Sequence, residues 1–288
     1  EVLSSKELVE KFEQFLKVKL PVVESFHPHF SHAFGEMLDV GGKRFRPLLL
    51  LSVVESSKPL LIENALHVAL GLEMMHTYSL IHDDLPCMDN AALRRGHPTL
   101  HVSYDETTAV LIGDALNTHA FYLLANAPLS AEIRIKLVSI LSSDAGIYGM
   151  VLGQAIDCFF EDKHLNVDEL SFLHLHKTAK LIAASLLMGA VICELDKATQ
   201  EILYQFGLKL GLLFQVQDDI IDATLTSEEA GKPTQNDGHK NSFVNLLGLE
   251  GAKETKQKLL LELDGELEKL DAALSHRLKS IVEAYFKG

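Results

Sequence analysis

The sequence predicts an all-α protein, a single-domain helical bundle. Three observations carry this. Runs of alternating apolar and polar residues, the strand signal, are scarce, and the chain reads as helices from end to end. Its 288 residues are 47% hydrophobic and 23% charged, the balance of a globular protein. No composition shift or Gly/Ser-rich linker divides it, so residues 1–288 are expected to form one domain.

The elements follow in order. Residues 7–20 form a first helix, stopped by Pro21. "FHPHF" (26–30) is a break, and a short helix spans 31–38. "GGKRFRP" (41–47) is a glycine turn feeding the apolar run 48–54. Asn64 is placed to cap a long helix through Leu85, apolar nearly all round and therefore central and buried. Further helices are expected at 105–126, 130–161, 167–175, 178–193, 197–224, 242–248 and 251–285. The last is heavily charged, hence amphipathic and peripheral.

Composition narrows the function. A net charge of −14 argues against a general nucleic-acid surface. Three cysteines, Cys87, Cys158 and Cys193, without a Cys-x-x-Cys, speak against a disulfide framework and for a reducing, cytoplasmic compartment. The near-apolar run 181–193 is too short to span a membrane and contains Ser185 and Gly189, so it reads as a buried core helix. No signal peptide is read.

Two acidic clusters sit in apolar helical sequence: "SLIHDDLPCMDN" (79–90) and "FQVQDDIID" (214–222). Asp218 and Asp222 are four apart and share a helix face, with Gln215 one turn earlier and Asp219 beside them. Asp83, Asp84 and Asp89 cannot share a face of one straight helix, because six residues turn through about 600°. Pro86 resolves this: the helix ends near Leu85 and Asp89 folds back from the following loop. His76, seven before Asp83, points the same way. Clustered carboxylates repel and are costly to bury. Mg²⁺ relieves both problems, since it takes hard oxygen ligands and bridges carboxylates to substrate phosphates.

Cations flank both clusters: Lys43, Arg44 and Arg46 in the glycine turn, Arg94 and Arg95 in "LRRGHPT", Lys177 beside Thr178 in "HKTAK", and Lys232 and Lys240 in "GKPTQNDGHKNSF". In an acidic chain that pattern suits two diphosphates, one held through Mg²⁺ and one held directly by Lys and Arg. In "GMVLGQAID", Gly146, Gly149 and Gly153 lie near one helical stripe that permits close packing, with Gln154 and Asp157 on an adjoining one.

With these motifs in their order, the sequence resembles the trans-isoprenyl diphosphate synthases, the polyprenyl synthetase family, over nearly its whole length. The resemblance implies an all-α fold around a deep central cavity, a homodimer, and Mg²⁺-dependent head-to-tail condensation of prenyl diphosphates. It places Asp83, Asp84, Asp89 and Asp218 on the metals, supported by Asp219 and Asp222. It gives Arg94, Lys177, Lys232 and Lys240 to the allylic diphosphate, and Lys43, Arg46, His76 and Arg95 to isopentenyl diphosphate. Thr178 and Gln215 fall near the reacting carbons. Tyr78, five residues before Asp83 and about 7.5 Å along the axis, is expected to floor the cavity, whereas Ser79 cannot. An aromatic there together with the Pro86–Cys87 insertion resembles the bacterial-type synthases of a C15 product; a C20 product is the alternative. Outside this reaction stand a metal-dependent phosphohydrolase, which would need several His ligands, and a non-catalytic prenyl synthase subunit, which would have lost one acidic motif.

Overall fold

The structure, a computed structural model, describes residues 2–229 and 240–287. Lys232 lies outside the described residues. The chain divides into two compact units, 1–138 and 139–288, and both are helical.

In the first unit, α1 (Ser5–Lys19) opens with a capping box between Ser4 and Glu7 and buries Leu8, Phe12 and Leu16, spaced one turn apart. α2 (Phe30–Asp39) and α3 (Phe45–Ser57) follow, then α4 (Ile62–Asp83), entered through a 3₁₀ turn at Pro59–Leu61. Nearly every residue of α3 from Phe45 to Glu55 is buried, and α4 is packed between α3 and α6 (Glu106–Ala125). The expected central helix is therefore present. Its cap is not Asn64. Pro59 starts the turn earlier, Asn64 falls inside α4, and its amide donates instead to the Pro128 carbonyl at 2.8 Å. Between α4 and α6 come a small hairpin, β1 (Leu93–Arg94) with β2 (His97–Pro98), and a single turn, α5 (Leu100–Ser103). Asp105 caps α6 by accepting from the Thr108 N–H.

α7 (Ala131–Ala145) carries the chain into the second unit, followed by α8 (Met150–Phe159), α9 (Val167–His174), α10 (Lys180–Ile192), α11 (Lys197–Glu229), α12 (Phe243–Leu267) and α13 (Ala272–Phe286). Two expected helices are broken. The stretch 130–161 is interrupted by a turn at 146–149, where the Gly149 N–H donates to the Gly146 carbonyl. Gly146 and Gly149 thus flank a helix break rather than line one helix, Gly149 closing tightly on the Asp144 carbonyl, and Gly153 is the one of the three packed against the turn before α10. The stretch 251–285 is interrupted because Asp271 accepts from the Leu274 N–H and starts a new helix. Residues 181–193 are buried almost throughout, as a core helix should be. By length and composition Ala131–Phe159 and Val167–Ile192 are apolar enough to cross a membrane; the first is broken at 146–149 and the second is 67% buried over its most apolar window.

Candidate active site

The first acidic cluster forms where α4 stops. Asp83 is its last residue and Asp84 its C-cap. The chain then folds back: the Asp89 N–H donates to the Asp83 carbonyl at 2.8 Å and the Ala91 N–H to the Asp84 carbonyl at 3.0 Å, with Asn90 in the left-handed region (φ 52°). This is the return that Pro86 predicts. Asp84 is 2% exposed and accepts both arms of the Arg94 guanidinium, from Nε at 2.8 Å and Nη2 at 2.7 Å. Burial lowers the Arg94 pKa, but the bond to Asp84 and the charges of Asp84, Asp83 and Asp89 outweigh it, and the net shift is upward. Asp83 and Asp89 therefore act on the same guanidinium as Asp84.

The hairpin aims the two arginines apart. Arg94 pairs with His97 in register, and Arg95 and Gly96 both take positive φ (53° and 75°), the signature of a two-residue type I′ turn. Arg95 crosses to the glycine turn and donates to the Gly41 carbonyl. Arg46 is buried nearby, its Nη1 3.4 Å from His76 Nε2 and its Nε without a hydrogen-bond partner. Burial, aided by Arg95 and opposed by Glu73, pulls Arg46 down to about 10. Burial, then Arg46, Arg95, Arg94 and Arg44, hold His76 well below its ordinary value, so its imidazole is neutral. Arg44 is spent structurally, on Glu13, Glu73 and the Leu38 carbonyl. Lys43 lies exposed on the same turn. An orphaned buried guanidinium N–H among further cations is chemistry that an anion satisfies.

One turn before the acids, Tyr78 packs its ring on His82, and the Ser79 hydroxyl donates to the His76 carbonyl at 2.6 Å. Burial pushes the Tyr78 phenol up, Asn117 opposing and Asp114 adding to the shift.

In the second unit, Lys177 and Thr178 lie in a π-helical turn, Leu175–Ala179, between α9 and α10. Such turns insert one residue and re-aim side chains. α8 lies hard against this turn: a Cβ at Gly153 would sit 2.2 Å from the Lys177 backbone nitrogen. From α8, Asp157 accepts from the Lys177 ammonium. On α11, Gln215 donates to Asp219 Oδ1 at 2.9 Å, and the Phe243 N–H donates to Oδ2 at 2.9 Å. Asp219 is thus committed to holding the start of α12. Burial raises its pKa against those two bonds and Lys240. Asp218 is half-buried, with exposed Asp222 one turn on. Lys240 is exposed, and its carbonyl accepts from Asn245. Sequence reasoning missed His174, which burial and the charge of Lys177 bring to about 4. In "HLHKTAK" nothing distinguishes it from its neighbours; only burial does.

Among the described residues no three His, Cys, Asp or Glu side chains enclose a metal ion by themselves. The donors offered are all carboxylate oxygens. That suits Mg²⁺, which keeps several waters and completes its shell with substrate phosphates.

A helical chain that sets hard oxygen donors beside buried cations is built for diphosphate chemistry. The sequence model of the family described as Polyprenyl synthetase matches residues 27–281. A farnesyl diphosphate synthase of Micrococcus luteus is 41% identical over 269 residues, covering 91% of each chain. A chloroplastic geranylgeranyl pyrophosphate synthase of Capsicum annuum is 42% identical over 255 residues, 85% of this chain and 68% of that one. The crystal structure of a Helicobacter pylori geranyltransferase, complexed with magnesium and isoprenyl diphosphate, superposes with a TM-score of 0.91 at 53% identity, covering 99% of this chain and 97% of that one. The chain belongs to the polyprenyl synthetase family and is a prenyltransferase.

Proposed function

We propose that the chain condenses isopentenyl diphosphate head to tail with dimethylallyl and geranyl diphosphate, releasing diphosphate and ending at farnesyl diphosphate. The observation that carries this is buried Arg46, whose Nε has no hydrogen-bond partner and whose Nη1 lies 3.4 Å from His76, with His76 and Arg95 both close in the chain to three aspartates. Residues 1–288 act as one catalytic domain.

Asp83, Asp89, Asp218 and Asp222 would hold Mg²⁺, with Asp84, held by Arg94, and Asp219 in support. The ion supplies charge neutralisation at the leaving diphosphate, so that the allylic C–O bond can break. Arg94, Lys177 and Lys240, with Lys232 beyond the described residues, bind the allylic diphosphate. Lys43, Arg46, His76 and Arg95 bind isopentenyl diphosphate. Neutral His76 contributes there as a hydrogen-bonding group, not as a charge. Thr178 and Gln215 turn oxygen dipoles toward the developing carbocation. The double bond of isopentenyl diphosphate attacks it, and the proton leaves to the departing diphosphate, so no side-chain base is required.

Tyr78 sets the length. Relatives of both C15 and C20 type share about the same identity with this chain, so overall similarity does not choose between them. An aromatic ring as the floor beneath the growing chain supports C15. A cytoplasmic homodimer completes the proposal; exposed Val110, Leu111 and Tyr122 on α6 support a partner surface, and none of the three cysteines is in a disulfide.

The test is incubation of the protein with isopentenyl and geranyl diphosphate, with Mg²⁺ or with EDTA, and the mass of the dephosphorylated product. A metal-dependent C15 alcohol is expected. A C20 alcohol would keep the reaction and remove Tyr78 as its limit. No condensation by folded protein would overturn the proposal.

A further inference from the structure

A side chain blocks a tunnel only if something holds it there. Tyr78 and His82 lie one turn apart on α4, and their rings meet edge to face, with centroids 5.2 Å apart and planes at 75°. His82 is itself fastened to α6. Its Nε2 lies 2.9 Å from the Val110 carbonyl and 3.9 Å from Asp114 Oδ1. A carbonyl only accepts, so Nε2 carries the proton and the tautomer is fixed. Gly113 makes the room: a Cβ there would sit 2.1 Å from His82 Nε2 and 2.3 Å from Cδ2. The imidazole occupies a slot on α6 that any larger residue at position 113 would close.

We infer that His82 is a positioning residue for product length: seated at Gly113 and bonded to the Val110 carbonyl, it holds the Tyr78 ring across the path of the growing chain. This rests on Tyr78 being the floor. His82 adjoins Asp83, so a loss of turnover would not separate positioning from general damage to the site. Chain length does.

The variants Tyr78→Ala, His82→Ala, His82→Gln, Gly113→Ala and the double Tyr78→Ala/His82→Ala are incubated with isopentenyl and geranyl diphosphate. Their alcohols are resolved by length, with thermal unfolding followed in parallel. The parent gives C15 and Tyr78→Ala gives mainly longer products. His82→Ala and Gly113→Ala each raise the C20 share roughly fivefold, the scale of one lost aromatic contact. His82→Gln does the same, because it keeps a donor for Val110 and loses the ring. The double variant matches Tyr78→Ala, since His82 acts through the tyrosine. Lengthening by Tyr78→Ala alone, with folded His82 and Gly113 variants still strictly C15, overturns the inference and leaves the floor in place. An unchanged C15 product from Tyr78→Ala removes the floor and the inference together. A double variant with longer products than Tyr78→Ala shows His82 acting independently and also overturns it. Should Gly113→Ala fail to fold, the two His82 variants decide.

Discussion

Arg44 and Arg46 are two residues apart, and burial treats them differently. Arg44 finds two glutamates and a carbonyl, so its charge is cancelled inside the fold. Arg46 has a neutral histidine beside it and an Nε with no hydrogen-bond partner. A charge-assisted hydrogen bond contributes roughly 1.5–3 kcal/mol. Arg46→Leu should therefore raise the KM for isopentenyl diphosphate about 100-fold while the KM for the allylic substrate moves far less; equal losses for both, in steady-state kinetics, would put Arg46 outside that pocket. The sequence offered all three basic residues of the glycine turn as candidates. Charge and spacing could not separate Arg44 from Arg46, because the glutamates that neutralise Arg44 come from positions 13 and 73; only the family resemblance left Arg44 out of the site.

At the scale of elements, the signals that read correctly were local. Pro86 announced the end of α4, and the fold-back of Asp89 followed from spacing alone. What stayed hidden depended on distant contacts or on one residue of register. The glycines of "GIYGMVLG" satisfy both a helix stripe and a helix break, and periodicity cannot choose between them. The π turn at Leu175–Ala179 adds one residue to a helix without changing its composition. The hairpin has two residues in each strand, too few to alternate. Asp271 sits in a run of charge that conceals its role as a cap. Two predictions belong here. Asp271→Ala loses a cap and should lower stability by about 1 kcal/mol in denaturant unfolding, with C15 still the product. Gly153→Ala presses a methyl group onto the Lys177 backbone; packing overlap of this kind costs roughly 1–3 kcal/mol. Its turnover should fall with the displaced π turn, and a variant of unchanged kcat would show that the turn tolerates movement.

Across the whole molecule, pH acts through opposed groups. Asp144 on α7 is buried and bonded by the Tyr204 hydroxyl at 3.0 Å; burial takes it from 3.8 to about 6, against Tyr204 and Lys180. Between those values the folded chain holds more protons than the unfolded one, so this group's contribution falls as pH rises. His174 runs the other way. Its folded value of about 4 lies below the ordinary 6.5, so its contribution is lost as pH drops through that window. The two slopes largely cancel between pH 4 and 6. Asp144→Asn removes one of them, and the stability gained from pH 4 to pH 7 should grow by about 3 kcal/mol relative to the parent. Denaturant midpoints at four pH values measure it; parallel curves for parent and variant would show that Asp144 titrates normally.

The grip of Arg94 on Asp84 has a consequence for the life of the protein in a cell. The acidic end of α4 carries its own counter-charge, so the fold need not wait for an ion to become tolerable. Chelation should silence turnover and leave the melting temperature within about 2 °C, a shift smaller than 1 kcal/mol for a chain of this size. A cell starved of divalent cations would then hold a stock of idle, intact enzyme rather than a pool of unfolded chain for proteases, and synthesis could restart without new translation.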